Sequence, residues 1–183
     1  MKNVLFVDAS MRDDSRTLKL CKSYLEKNFA DADLKIRSLK EEEIKPFNED
    51  MLKERDKDIS NGDFSSDRYK FAREFAEADT VVIGAPYWDF SFPAKLKLYF
   101  EHIFVTGITF KYVEGIPKGL GNTKELIYIT TAGGYIPENS SLETYLKEMC
   151  FMFGIENLKF YKAEGLDIEG NDPENIIKNA DFI

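Results

Sequence analysis

The chain is poor in the residues that build metal centres and covalent frameworks: one histidine and two cysteines in 183 residues. Cys21 and Cys150 stand far apart, with no second thiol or imidazole at ligand spacing, which excludes a zinc finger and a C-x-x-C redox pair. Both cysteines read as small core residues, and His102, beside an apolar helical stripe, reads as structural. Basic charge is also scarce. With 25 Lys and Arg against 33 Asp and Glu the net charge is −8, the wrong sign for a phosphate backbone, so nucleic acid is not expected as a partner. Long apolar runs are missing: nothing approaches the ~18 residues of a membrane span, and the run in "MKNVLFVDAS" is too short for a signal peptide. A cytoplasmic protein without membrane contact is expected. There are no repeats, and the length suits one domain over residues 1–183.

What is present is an alternation of two periodicities. "VLFVDAS" (4–10) and "TVVIGAP" (80–86) are compact apolar runs, the pattern of strands buried on both faces. "LKIRSL" (34–39) alternates as a strand near a sheet edge does, and "ELIYITTAGGY" (125–135) and "LKFYKAEGL" (158–166) read as two further strands. Helical spacing links Leu18, Cys21, Leu25 and Phe29, then Phe71, Ala72 and Phe75, then Leu96, Phe100 and Ile103. Ser140 and Glu143 form an S-x-x-E capping box ahead of Leu142, Leu146, Met149 and Phe153, and Asp172 with Pro173 opens a last helix. Residues 40–68, charge-dense and broken by Pro46 and Gly62, read as an irregular solvated excursion with one short helix. Five strands alternating with five helices predict a mostly parallel α/β sheet covered on both faces. A ligand then belongs beyond the carboxyl ends of the strands, at a topological switch point.

Three loops at that edge carry residues a core does not need. In "SMRDDSRT" (10–17), Ser10, Ser15 and Thr17 offer hydroxyls beside the free N–H groups of a helix start, with Arg12 or Arg16 to offset a phosphate's charge. The competing reading is a plain capping turn at Asp14 or Ser15, with Asp13 and Asp14 repelling an anion unless they point away. In "PYWDFSFP" (86–93), the aromatics fall in a turn and suggest a flat ligand, unless Phe90 and Phe92 are plugs that seat the next helix. In "TTAGGY" (130–135), paired glycines allow close backbone approach or positive φ, and Tyr135 could stack or donate a proton. A phosphate cradle, an aromatic wall and a backbone donor pair together fit a planar ring with a phosphate tail. Flavin mononucleotide (FMN) has that shape, and the doubly wound order 2-1-3-4-5 binds it between strands one and three.

These segments resemble the flavodoxin-like NAD(P)H-dependent oxidoreductases, in particular FMN-dependent NADH-azoreductases and their quinone-reductase relatives. The likeness covers nearly the whole chain and is densest in "APYWDFSFPAKLKLYFEHIFVTGITFKY" (85–112), with "ITTAGG" (129–134) and "ASMRDDSRT" (9–17) as further matches. It implies a flavodoxin-like three-layer sandwich, bound FMN, NADH or NADPH as donor, and two-electron ping-pong hydride transfer to quinones, azo or nitro compounds. It also implies a homodimer whose second subunit helps to build the substrate pocket. By this resemblance Ser10, Ser15, Arg16 and Thr17 hold the phosphate; Tyr87, Trp88, Asp89 and Phe90, following Pro86, pack along and bond the ring; and Thr131, Ala132, Gly133 and Gly134 line its pyrimidine side. Tyr135 is the one side chain nominated for catalysis. Three features depart from the family: a shorter, more acidic phosphate loop, Ala132 where azoreductases can carry Arg, and Asp89 where Asn is frequent. An ionised Asp89 cannot donate as an amide does. Flavodoxin-type electron carriers are the rival, although "SMRDDSRT" lacks the glycine of their phosphate loop. A signalling receiver domain, suggested by Asp8, Asp13, Asp89 and Lys162 near strand ends, leaves Trp88 and the glycine pair unexplained.

Overall fold

A computed structural model describes residues 1–180 and 182. The strands in chain order are β1 (Asn3–Asp8), β2 (Asp33–Ser38), β3 (Thr80–Pro86), β4 (Phe110–Val113), β5 (Ile116–Gly119), β6 (Glu125–Thr131) and β7 (Asn157–Ala163). The helices are α1 (Arg16–Asn28), α2 (Glu49–Asn61), α3 (Lys70–Glu77), α4 (Ala94–Ile103), α5 (Ser141–Phe153) and α6 (Pro173–Lys178). Five strands form one parallel sheet in the order β2-β1-β3-β6-β7, which is 2-1-3-4-5 when only its own strands are counted. No helix among the described residues is long and apolar enough to cross a membrane.

The doubly buried runs behave as period-2 strands should. Leu5, Val7, Val81, Ile83, Leu126 and Tyr128 face a core shared with α3, α4 and α5. Val4, Phe6, Val82, Ile127 and Ile129 point the other way, onto Leu20, Cys21, Tyr24 and Leu25 of α1. Because the chain switches faces between α1 and α3, the β1 and β3 loops diverge and leave a crevice between them.

The structure corrects the sequence reading in two places. The charged excursion contains a full 13-residue helix, α2, with no buried residue. Asn48 caps it by accepting from Met51 N–H at 2.9 Å, and Gly62 ends it at φ 65°; its side chains carry no apolar stripe, so periodicity did not show it. The second is the antiparallel hairpin β4–β5, with a two-residue turn at Glu114 and Gly115 (φ 54° and 81°). Pro117 and the shortness of both strands hid it. Among the described residues the five helices that alternate with the sheet strands are joined by α2 as a sixth.

Candidate active site

The loops after β1, β3 and β6 enclose a groove of about 410 Å³. It gathers Arg12, Ser15, Arg16, Thr17, Pro86, Tyr87, Trp88, Thr131, Ala132 and Gly133. Ser10, Asp89, Phe90, Gly134 and Tyr135 lie off its lining, which instead adds Met11, Asp14, Leu166 and Asp167.

The first wall is the start of α1. Ser15 is its N-cap, accepting from Leu18 N–H at 3.2 Å, so the capping reading holds; the hydroxyl proton stays free to donate outward. The N–H groups of Arg16 and Thr17 have no acceptor among the described residues, as helix starts dictate. Ser10 differs from expectation. It is 2% exposed, and both its N–H (2.9 Å) and its hydroxyl donate to Asp8 Oδ1, so its proton is committed to a carboxylate. Asp13 does point away: Lys40 bonds it and holds its carboxyl below the usual range. Asp14 stays on the groove.

The second wall is a tight turn. Trp88 and Ser91 exchange backbone bonds at 3.2 and 2.8 Å, while Asp89 and Phe90 between them take φ of 49° and 63°. That is the conformation Asn-Gly usually occupies, and each left-handed non-glycine residue costs about 1–2 kcal/mol. Ser141 Oγ donates to the Phe90 carbonyl at 3.1 Å and helps to hold the turn. The result separates the two candidate plugs: Phe92 packs edge-on against Phe100 and Tyr145 at 5.2 and 5.4 Å, whereas Phe90 is 74% exposed. Tyr87 and Trp88 remain as the groove's aromatic wall.

The third wall begins where β6 ends. Thr131 Oγ1 and Thr17 Oγ1 are 2.6 Å apart and buried, tying it to α1. Neither Gly133 nor Gly134 has positive φ, and only Gly133 serves close approach. A Cβ on Gly133 would stand 2.4 Å from Asp167 Oδ2, and one on Gly134 would meet nothing. Their N–H groups have no acceptor among the described residues, while their carbonyls accept from Asp167 N–H (2.9 Å) and Gly165 N–H (2.8 Å). This zipper brings the loop after β7 to the groove, where Asp167 Oδ1 accepts from Arg16 Nη1 at 2.7 Å. Nothing in "EGLDIEG" signalled that role, because it depends on β7 pairing beside β6. Tyr135 is 70% exposed beyond this wall and lies off the groove's lining.

His102, Cys21 and Cys150 lie outside the groove. His102 Nε2 is 2.9 Å from the Lys45 carbonyl, and its ring stacks on Phe47 at 4.4 Å. Both thiols are buried, and burial pushes Cys150 up to about 11 and raises Cys21 further, which disfavours the thiolate at each.

Unpartnered N–H pairs on two walls, hydroxyls and arginines at one end and a Tyr–Trp face between them make a donor set suited to a flavin with a phosphate ester. Residues 2–181 match the family described as having a flavodoxin-like fold. The chain belongs to that family. Within this flavodoxin-like family it is 33% identical over 192 residues to the FMN-dependent NADH:quinone oxidoreductase of Clostridium perfringens, covering 98% of this chain and 94% of the relative. FMN-dependent NADH:quinone oxidoreductase 2 of Clostridium acetobutylicum is 35% identical, with the same coverage. Among solved structures, an azoreductase from Bacillus anthracis matches with a TM-score of 0.83 at 26% identity, over 98% of this chain and 95% of that one.

Proposed function

We propose that the chain is an FMN-dependent oxidoreductase that takes electrons from NADH or NADPH and reduces quinones, with azo and nitro compounds as further acceptors. The observation that carries this reading is the convergence of free N–H donors at Arg16, Thr17 and Gly133 on one groove faced by Tyr87 and Trp88, with the free N–H of Gly134 next in the chain. The relatives' names supply the reaction class. When bound, FMN supplies two-electron redox chemistry. The start of α1, the Ser15 hydroxyl, Arg12 and Arg16 would hold its phosphate, with the helix dipole adding to their attraction. Tyr87 and Trp88 would pack along the ring and keep water from one side, and Pro86 and Ala132 would leave that wall apolar. The N–H groups of Gly133 and Gly134 would donate to its polar edge, where pre-aimed dipoles favour negative charge. Asp89 and Phe90 would act by shaping the turn that presents Trp88.

The reading extends to one domain over residues 1–183, active in the cytoplasm as a homodimer, with no nucleic-acid or membrane partner. Tyr112 and Ile116 on the β4–β5 hairpin and Phe151 on α5 are 58–65% exposed, apolar surface that a second copy would cover. The acidic balance favours one rival, a flavodoxin-type electron carrier. Steady-state oxidation of NADH and NADPH by the FMN-loaded chain, with a benzoquinone as acceptor, separates the two. Parallel double-reciprocal lines, the mark of ping-pong turnover, support the reductase; no acceleration over free FMN with either donor rejects it in favour of the carrier.

A further inference from the structure

We propose that Asp167 is an internal competitor for the groove's anion site and so determines how strongly the groove prefers a phosphorylated flavin to an unphosphorylated one. The proposal rests on the FMN reading above.

A single carboxylate touches two walls at once. Its Oδ1 accepts from Arg16 Nη1 at 2.7 Å, and its Oδ2 lies against Gly133, where a Cβ would come within 2.4 Å. Asp167 therefore already engages the guanidinium that a ligand phosphate would seek, next to the helix start that would cradle it. The charges on the groove lining balance: Arg12 and Arg16 face Asp14 and Asp167.

The side chain is not what holds its loop in place. Gly165, Leu166 and Asp167 donate backbone N–H bonds to Gly134, Ala132 and Gly133 at 2.8, 3.1 and 2.9 Å, and these survive a change of side chain. The Arg16 and Asp167 side chains are 44% and 68% exposed, and an exposed ion pair is weak enough to exchange. A phosphate dianion, with more charge and three acceptor oxygens, outcompetes a carboxylate for the fork of an arginine. An incoming phosphate must nonetheless displace Asp167 and then bind beside its charge, whereas a flavin without phosphate meets neither obstacle.

The test is a fluorescence titration of the flavin-free chain with FMN and with riboflavin, at low and high salt. Wild type is compared with Asp167→Asn and with Asp56→Asn, an equal charge change on the exposed surface of α2. Asp167→Asn should tighten FMN binding about three- to fivefold at low salt, less at high salt, and move riboflavin by under about 1.5-fold. Asp56→Asn should leave the FMN-to-riboflavin ratio unchanged. Equal tightening for both flavins, no change, or weaker FMN binding overturns the proposal; the last would make Asp167 a positioner of Arg16. A wild-type chain that binds neither flavin overturns the FMN reading itself, an outcome distinct from these.

Discussion

Gly84 pairs with Asp8 across the β1–β3 ladder, and its carbonyl accepts from Ala9 N–H at 2.8 Å, the last rung before the loop that opens α1. A Cβ at this position would lie 2.4 Å from Cys21 Sγ and 3.3 Å from Phe6 Cε2. Cys21 and Phe6 are 0% and 2% exposed, so neither can swing into solvent. Ordinary contacts begin near ~3.5 Å; the sulfur is thus about an ångström too close, and α1 would have to lift from the sheet. Gly84→Ala should cost about 2–3 kcal/mol, the upper range of overpacking. Cys21→Ala alone should cost about 1 kcal/mol through lost burial. In the double variant the nearest atom at residue 21 is its Cβ, 3.6 Å away and in normal contact, and only Phe6 needs to yield by a few tenths of an ångström. The two changes should therefore couple, the double variant being more stable than the sum predicts by about 1–2 kcal/mol. Urea unfolding of all four proteins measures this. Strict additivity would refute the reasoning, because it would mean that the sulfur is not what keeps residue 84 a glycine.

Ser15→Ala should lower stability by about 1 kcal/mol through loss of the α1 cap and weaken FMN more than riboflavin, both read by titration and thermal melting. Trp88→Ala, at a residue 40% exposed, should cost under about 1 kcal/mol of stability yet weaken FMN binding up to about tenfold, as loss of an aromatic face would. Glu74 gives a pH dependence. Burial opposes its ionisation, but Arg37 (2.6 Å from Oε2) and Lys35 (2.9 Å from Oε1) overcome it, and the net shift is below the ordinary 4.5. A folded-state value below the unfolded one stabilises above the unfolded pKa and is lost as pH falls through the folded pKa. The urea midpoint should thus fall on acidification below about pH 4.5, less steeply in Glu74→Gln.

The parts of this protein that could be read from its sequence are those whose cause is local. The short apolar runs of β1 and β3 announce strands because a parallel sheet buries both faces, and Ser140 with Glu143 announces α5 because a cap is a matter of neighbours. The three loops at the sheet's carboxyl edge were legible for the same reason: each carries hydroxyls, aromatics or glycines that no core requires. Other features turn on tertiary placement. Phe90 and Phe92 look alike in sequence, and only the left-handed turn at Asp89 and Phe90 decides that one is displayed and the other packed. Ser10 reads as a phosphate donor until its hydroxyl is seen to donate to the carboxylate of Asp8, the last residue of β1. Asp167 was invisible because it reaches the groove through backbone bonds to the glycine loop. A short helix was expected in the charged excursion, but the full length of α2 was not, since a helix with no fully buried residue shows little periodicity.

The most direct test of the account is to load the chain with FMN, exclude oxygen, and add stoichiometric NADH or NADPH while the visible spectrum is recorded. The account predicts that the absorbance of oxidised flavin is lost with at least one donor and returns when a quinone is added. Bound flavin whose spectrum is untouched by both donors would contradict it.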